Sequence, residues 1–167
     1  LTSRMMASMA GISQSNVKSA NLIDRQWEKI AKQSARMKEL NLFVDDTPNI
    51  SPVEIRAKCR RLAKQFRNNG GVSLVVVDYI QLMQMPGRNE NRVNELSDIS
   101  RSLKYLAKEV EAPVLVLSQL NRGVEQRPNK RPQMSDLRDS GAIEQDADLI
   151  FMLYRDFVYN KNEEWKN

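Results

Sequence analysis

The chain has 167 residues, a formal net charge of +5 and a hydrophobic content of 41%, which is typical of a soluble globular domain with one core. It contains no histidine and one cysteine, Cys59, which excludes Ser-His catalysis, the usual zinc sites and an internal disulfide framework. No apolar run approaches the roughly 20 residues that a membrane helix needs, so we expect a cytoplasmic protein. The positive charge is compatible with a polyanionic partner without identifying one.

Helical and extended patterns alternate from the start of the chain. Apolar residues at helical spacing predict a helix over 1–10 that ends near Gly11. A polar loop is expected over 11–21, and Asp24 is then placed to cap a second helix. Residues 41–46 (NLFVDD) form a short apolar run with two terminal carboxylates, which predicts a buried strand.

A capping box marks the start of the next helix. Ser51 stands at the N-cap position, Pro52 at the first helical position and Glu54 at the third, a combination that favours helix initiation.

The helix that begins at this capping box is predicted to be strongly cationic. A solvated face is the more frequent explanation for such a helix, and a nucleic-acid contact is the alternative. Its cations are Arg56, Lys58, Arg60, Arg61, Lys64 and Arg67.

The stretch over 73–81 (SLVVVDYIQ) carries four consecutive apolar residues that run into Asp78. Such a run without polar alternation predicts a strand buried on both faces, as in parallel sheets covered by helices. In open α/β sheets ligands lie beyond the carboxyl ends of the strands. Asp78 is therefore either a carboxylate that reaches a bound ion or substrate, or a residue that caps the following turn.

The second half of the chain repeats this pattern. An apolar stripe predicts a long helix over 92–110, and a second buried strand over 114–117 (VLVL) leads to Gln119. A polar, cation-rich loop is expected over 120–140 and a last strand over 149–154 (LIFMLY). With four predicted strands between helices, the sequence predicts an α/β domain with a largely parallel sheet flanked by helices.

An apolar strand that ends in aspartate is a common magnesium-positioning arrangement in nucleoside triphosphatases. The phosphate-binding loop G-x-x-x-x-G-K-[ST] that such enzymes use is absent from the sequence, and so is G-x-G-x-x-G. Gln119 is able to contact a γ-phosphate or orient water through its amide. A hydrogen-bonded residue at the end of a strand is the alternative interpretation of Gln119.

Four segments of the chain resemble the RecA-like motor domain of bacterial replicative DNA helicases, the DnaB family. They are DYIQLM from Asp78, ISRSLKYLAKE from Ile99, APVLVLSQLNR from Ala112 and DLRDSGAIEQDAD from Asp136. The likeness extends to nearly the whole chain. It implies a RecA-like fold and ATP hydrolysis with Mg²⁺. It also implies translocation on single-stranded DNA by a hexameric ring, with primase and a helicase loader as partners.

The resemblance also implies roles for individual residues. Asp78 matches the Walker B aspartate that positions magnesium, Gln119 matches the glutamine that reaches toward the γ-phosphate, and Arg4 matches an arginine near the nucleotide pocket. The family loop that holds the backbone of single-stranded DNA matches Arg138, Asp139 and Gly141. Asp139 stands where the family often has glutamate, and the contact expected there is through the main chain.

In the family, the P-loop and the catalytic glutamate precede the LTSRM segment, and the arginine finger lies in a later K-x-R-N-G region. We therefore expect residues 1–167 to be a partial motor domain that lacks the P-loop strand and hydrolyses little ATP by itself. Two alternatives are a non-enzymatic nucleic-acid-binding or assembly module and a RecA-like recombination or repair ATPase. The pairing of SQLNR with DLRDSGAIEQDAD favours the helicase over both.

Overall fold

The computed structural model describes residues 1–87 and 91–159. The chain divides into two compact units, Leu1–Asp46 and Thr47–Asn167. The prediction that residues 1–167 form one partial motor domain is not tested by this division and stays a prediction.

The first unit is helical. It contains α1 (Thr2–Ala10), α2 (Gln14–Lys18) and α3 (Asp24–Glu39). The predicted first helix is confirmed, and it ends at Gly11, whose φ of 63° is a left-handed conformation that glycine adopts without steric cost. The small core of this unit is formed by Ala7, Ala10 and Ile12.

Two details of the first unit differ from the prediction. The short helix α2 lies in the segment predicted as a loop, because five mostly polar residues show no apolar periodicity. The N-cap of α3 is Ile23 rather than Asp24, and the Ile23 N–H donates to Oε1 of Gln26 at 3.1 Å. Asp24 is instead the first helical residue, where a carboxylate interacts favourably with the helix dipole.

Residues 41–46 do not form the predicted buried strand. The segment belongs to no strand of the described structure, and the side chains of Leu42, Phe43 and Val44 are exposed. An apolar run becomes a strand only when a neighbouring strand pairs with its main-chain groups. Among the described residues, the sheet joins 75–77 to 114–116 and does not include 41–46.

The second unit begins with the predicted capping box. The Ser51 side chain accepts from the Glu54 N–H at 3.3 Å, and the Glu54 carboxylate accepts from the Ser51 N–H at 2.8 Å. Helix α4 (Pro52–Gln65) follows. The capping prediction is confirmed.

A parallel β-α-β unit forms the centre of the second unit. Strand β1 (Val75–Val77) pairs in parallel with β2 (Val114–Val116), and α5 (Arg92–Val110) connects them. Val76 lies opposite Leu115 in the register. One face of this sheet packs against α5, and α4 packs against α5 in the same core. The buried core is formed by Cys59, Val77, Ile80, Met83, Leu96, Ile99, Leu103, Leu106, Val110 and Ala112.

The opposite face of the sheet is exposed, so the prediction of strands buried on both faces is wrong for the described structure. Val76 is 54% exposed and Leu115 is 48% exposed. The predicted strand over 149–154 is also absent: the segment pairs with no described strand, and Leu149, Phe151 and Leu153 are exposed. The described residues therefore contain two strands rather than four.

The chain continues through α6 (Gly141–Asp146) and ends its described part with α7 (Asp156–Tyr159). The predicted α/β fold class is confirmed, with a small parallel sheet that carries helices on its packed face. Among the described residues, none of the helices combines the length and the apolar character that crossing a membrane requires.

Helix α5 dominates the core, which makes its buried face the most sensitive part of the fold. Ile99 is fully buried, whereas Tyr105 on the same helix is 60% exposed. We expect Ile99→Ala to lower the free energy of unfolding by about 2–5 kcal/mol, since it removes buried apolar contacts and leaves a cavity. Urea denaturation followed by circular dichroism measures this. The control Tyr105→Ala should cost less than about 1 kcal/mol; equal losses would contradict the described core.

Candidate functional site

Two polar side chains lie past the carboxyl ends of the paired strands. Asp78 follows β1 directly, and Gln119 lies three residues beyond β2; both are exposed. Main-chain pairing continues past the strands, because the Leu117 N–H donates to the Val77 C=O and the Ile80 N–H donates to the Leu117 C=O, each at 2.9 Å. The two predicted site residues therefore share one edge of the sheet.

The surroundings of Asp78 are compatible with a magnesium ion. Asp78 is exposed, and no ion pair joins it to another residue in 1–87 or 91–159. Within those same ranges, no group of three or more Asp, Glu, His or Cys side chains is placed to hold a metal. Magnesium fits a site with a single carboxylate when water and substrate phosphates supply its other ligands.

A third residue, Gln81, joins the two strand ends and was missed in the sequence. It lies in the short 3₁₀ helix Ile80–Leu82. Its side-chain Oε1 accepts from the Gln119 N–H at 3.2 Å, and its Nε2 donates to the Gln119 C=O at 3.2 Å. Gln81 is the last residue of the SLVVVDYIQ stretch, but nothing in the pattern indicated a partner 38 residues away.

The first turn of α5 fixes the segment that follows Asp78. Arg92 donates to the C=O groups of Gln81 at 2.8 Å and Met83 at 3.1 Å, and it also pairs with Glu95. Glu95 accepts from the Met85 N–H at 2.7 Å. Burial alone would raise the pKa of Glu95, but the Met85 N–H and the Arg92 guanidinium together lower the pKa below its usual value.

The polar segment over 120–140 is structured rather than a loop without regular elements. It contains 3₁₀ helices over Arg122–Gln126 and Met134–Ser140. Arg127 donates two hydrogen bonds to the Asp136 carboxylate, at 2.9 and 2.7 Å, and a third to the Arg131 C=O at 3.0 Å. Asp136 is buried, and the Arg127 hydrogen bonds, followed by that of the Gln133 N–H, lower its pKa.

The predicted DNA-binding residues lie at the end of this segment. The 3₁₀ helix Met134–Ser140 contains Arg138 and Asp139, whose side chains lie outside the described part of the structure. Gly141 begins α6 and is exposed, and apart from its chain neighbours and the main chain of α6 no described heavy atom lies within 4 Å of the position that a Cβ would occupy. The Gly141 main chain is therefore open to close approach by a ligand.

A cleft of about 390 Å³ opens beside Gln119. Lys130, Tyr154, Arg155 and Tyr159 are among its lining residues. The two tyrosine rings stack with their centroids 5.5 Å apart, and the Lys130 Nζ lies 5.8 Å from the centroid of the Tyr159 ring. The space next to Gln119 thus combines cationic and aromatic side chains.

Arg4, the remaining predicted site residue, is exposed on α1 of the first unit. Asp78 and Gln119 lie in the second unit. The expected place of Arg4 near a nucleotide therefore stays a prediction.

Comparison with known proteins identifies the family. The family model for the DnaB-like helicase C terminal domain matches residues 1–167. The chain belongs to this family of DnaB-like helicase domains.

Individual relatives agree with the family match. The chain is 51% identical to the replicative DNA helicase DnaB of Haemophilus influenzae, over 98% of its own length and 35% of that protein. It is 48% identical to DnaB of Geobacillus stearothermophilus, over 100% of its length and 36% of that protein. The chain thus spans about a third of the length of these relatives.

Solved structures of similar proteins support the RecA-like α/β fold. A DnaB-like replicative helicase, solved in a study of its interactions with primase, matches with a TM-score of 0.89 and 38% identity. That match covers 99% of this chain and 39% of the other. A second solved structure, of an ATPase domain, matches with a TM-score of 0.88 and 38% identity, covering 98% of this chain and 58% of the other.

In this DnaB-like domain, several cations of α4 have partners within the protein. Arg60 pairs with Glu109 at 3.2 Å, and Arg56 pairs with the same carboxylate group. The Lys58 Nζ donates to Thr47 Oγ1 at 3.2 Å. These contacts favour the interpretation of α4 as a structural, solvated face over a nucleic-acid contact.

The Arg127–Asp136 pair predicts a pH dependence of stability for the DnaB-like domain. Because the pKa of Asp136 is lowered in the folded state, its stabilising contribution is present above the ordinary aspartate pKa of about 3.9 and is lost as pH falls through the lowered value. Thermal unfolding across a pH series should show Asp136→Asn less stable than wild type at pH 7. The difference should shrink below about pH 4; a constant difference would contradict the ion pair.

Proposed function

We propose that the chain forms part of the motor domain of a ring-forming replicative DNA helicase that couples ATP hydrolysis to translocation on single-stranded DNA and to duplex unwinding. The observation that carries the proposal is the placement of Asp78 and Gln119 past the carboxyl ends of two paired parallel strands. Ligands bind at this edge of open α/β sheets. Membership in the DnaB-like family supports the same function.

In this proposal the Asp78 carboxylate orients a magnesium ion through its oxygens, and the Gln119 amide donates to the γ-phosphate of ATP. Bound Mg²⁺ supplies positive charge that neutralises the β- and γ-phosphates. Arg4 adds a cation near the nucleotide. Residues 1–167 contain no P-loop motif, so we still expect them to hydrolyse little ATP by themselves.

The proposed DNA contact lies at the start of α6. Arg138 supplies charge, and the main chain of Asp139 and Gly141 holds the phosphate backbone without reading base sequence. The open space above Gly141 supports such an approach. We further propose that the full-length protein assembles as a hexamer in the bacterial cytoplasm and binds a helicase loader and primase. A DnaB-like relative of known structure interacts with primase.

The two alternative functions have less support. A non-enzymatic binding module does not explain why a carboxylate and an amide follow two paired strands at one ligand-binding edge of the sheet. Its proposed nucleic-acid contact on α4 is also less favoured, because three cations of α4 have protein partners. A recombination or repair ATPase is not favoured, because the relatives described above are replicative helicases.

The magnesium role of Asp78 is tested with Asp78→Asn in the full-length helicase. We expect kcat for ATP hydrolysis to fall about 100-fold, on the scale of a lost charge-stabilising contact. The Mg²⁺ concentration needed for half-maximal activity should rise. Asp24→Asn, which removes an exposed carboxylate from α3, is the matched control and should leave both quantities unchanged. A normal magnesium titration for Asp78→Asn would overturn the assigned role.

The DNA contact is tested by measuring affinity for single-stranded DNA across a salt series. Arg138→Ala should weaken binding and lower the slope of log K against log[salt] by about 0.7 per lost phosphate contact. The comparison variant Arg61→Ala removes an exposed cation from α4 and should leave the slope unchanged. If the slope fell only for Arg61→Ala, the DNA contact would lie on α4 and the role assigned to Arg138 would be wrong.

A further inference from the structure

We propose that Gln81 is a positioning residue for Gln119. The side-chain amide of Gln81 holds the main chain of Gln119, so that the side-chain amide of Gln119 faces the γ-phosphate. This inference rests on the proposed function, because it concerns the same nucleotide site. Gln81 lies in the DYIQLM segment of the family resemblance, but neither the sequence pattern nor the resemblance gave it a role.

One side chain satisfies both main-chain groups of Gln119. The Gln81 Oε1 accepts from the Gln119 N–H at 3.2 Å, while the Gln81 Nε2 donates to the Gln119 C=O at 3.2 Å. The same Nε2 donates to the Ser118 Oγ at 3.0 Å. Because a primary amide offers a donor and an acceptor side by side, Gln81 bonds Gln119 much as a neighbouring strand would.

These bonds matter because β-pairing stops before Gln119. The Ile80 N–H donates to the Leu117 C=O at 2.9 Å, and β2 itself ends at Val116. Gln119 is exposed, so packing does little to set its direction. The Gln81 side chain therefore supplies the main-chain restraint that the sheet no longer provides. Small displacements of a group that contacts a reacting centre have large kinetic effects.

Gln81 is itself held in place by the start of α5. Its C=O accepts from Arg92 at 2.8 Å, and Arg92 is paired with the buried carboxylate of Glu95. The preceding residue, Ile80, is buried in the core. Gln81 is thus held by α5 and in turn holds the exposed Gln119, as a positioning role requires.

The test is a double-mutant cycle on steady-state ATP hydrolysis by the full-length helicase. The variants are Gln81→Leu, Gln119→Ala and the combination. We expect Gln81→Leu to lower kcat about 10-fold with KM for ATP within about twofold, because the interaction strengthens in the transition state. In the Gln119→Ala background, Gln81→Leu should have no further effect, since its action passes through Gln119.

The matched control is Gln84→Leu, the same chemical change at an exposed glutamine three residues further along. The Gln84 N–H donates to the Ile50 C=O, and the substitution keeps this bond. We expect wild-type kcat for this control. If Gln81→Leu does not yield folded protein, Gln81→Glu replaces it: Glu keeps the acceptor for the Gln119 N–H, loses the donor, and should show the same dependence on Gln119.

The outcomes separate the two proposals. If Gln119→Ala lowers kcat but Gln81→Leu leaves kcat unchanged, or lowers it by the same factor in both backgrounds, the positioning role is wrong and the proposed function stands. If the wild-type protein does not hydrolyse ATP, or Gln119→Ala hydrolyses it normally, the proposed nucleotide site fails and the positioning role fails with it.

Discussion

The parallel pairing of β1 with β2 is the interaction on which the candidate site depends. Parallel strands cannot be joined by a tight turn, so α5 must cross over between them and pack on the sheet. That packing buries the apolar stripe of α5 against Val77, Ile80 and Met83. The carboxyl ends of both strands then lie at one edge, which brings residues 41 positions apart in sequence, Asp78 and Gln119, to the same part of the molecule.

Polar contacts extend this order beyond the ends of the short strands. Arg92 and Glu95 hold the segment after β1, and Gln81 joins that segment to the residues after β2. The Arg127–Asp136 pair organises the segment that leads to Gly141. Charge-assisted and bidentate hydrogen bonds are the strongest available for such work. In the proposal, the segments assigned to nucleotide and DNA are thus held by side chains to which no ligand contact is assigned.

The sequence predicted the local elements well and the tertiary contacts poorly. Helix α5, the Ser51 capping box and the two central strands follow from apolar spacing and cap residues, which are local properties. Residues 41–46 and 149–154 have the same apolar character as those strands, but neither segment forms a strand of the described sheet. Apolar composition indicates that a segment can be buried, whereas pairing depends on a partner that the segment itself does not specify.

The candidate site shows the same division. Asp78 and Gln119 were found because each follows an apolar strand. The pattern left each of them open between a ligand contact and a structural role at the end of a strand, and the family resemblance favoured the ligand contact. Gln81, Arg92 and Arg127 were missed in their structural roles, since each acts on a main-chain group or carboxylate distant in sequence. Arg127 lies in the segment predicted as a polar, cation-rich loop, and nothing in that pattern indicated its ion pair with Asp136, nine residues away.

The most direct test of the account is a structure of the full-length protein with Mg²⁺, ADP and a γ-phosphate analogue bound. The account predicts that the Asp78 carboxylate coordinates the metal directly or through a metal-bound water and that the Gln119 side-chain amide donates to the analogue. A nucleotide bound elsewhere, with Asp78 and Gln119 facing only solvent, would contradict it.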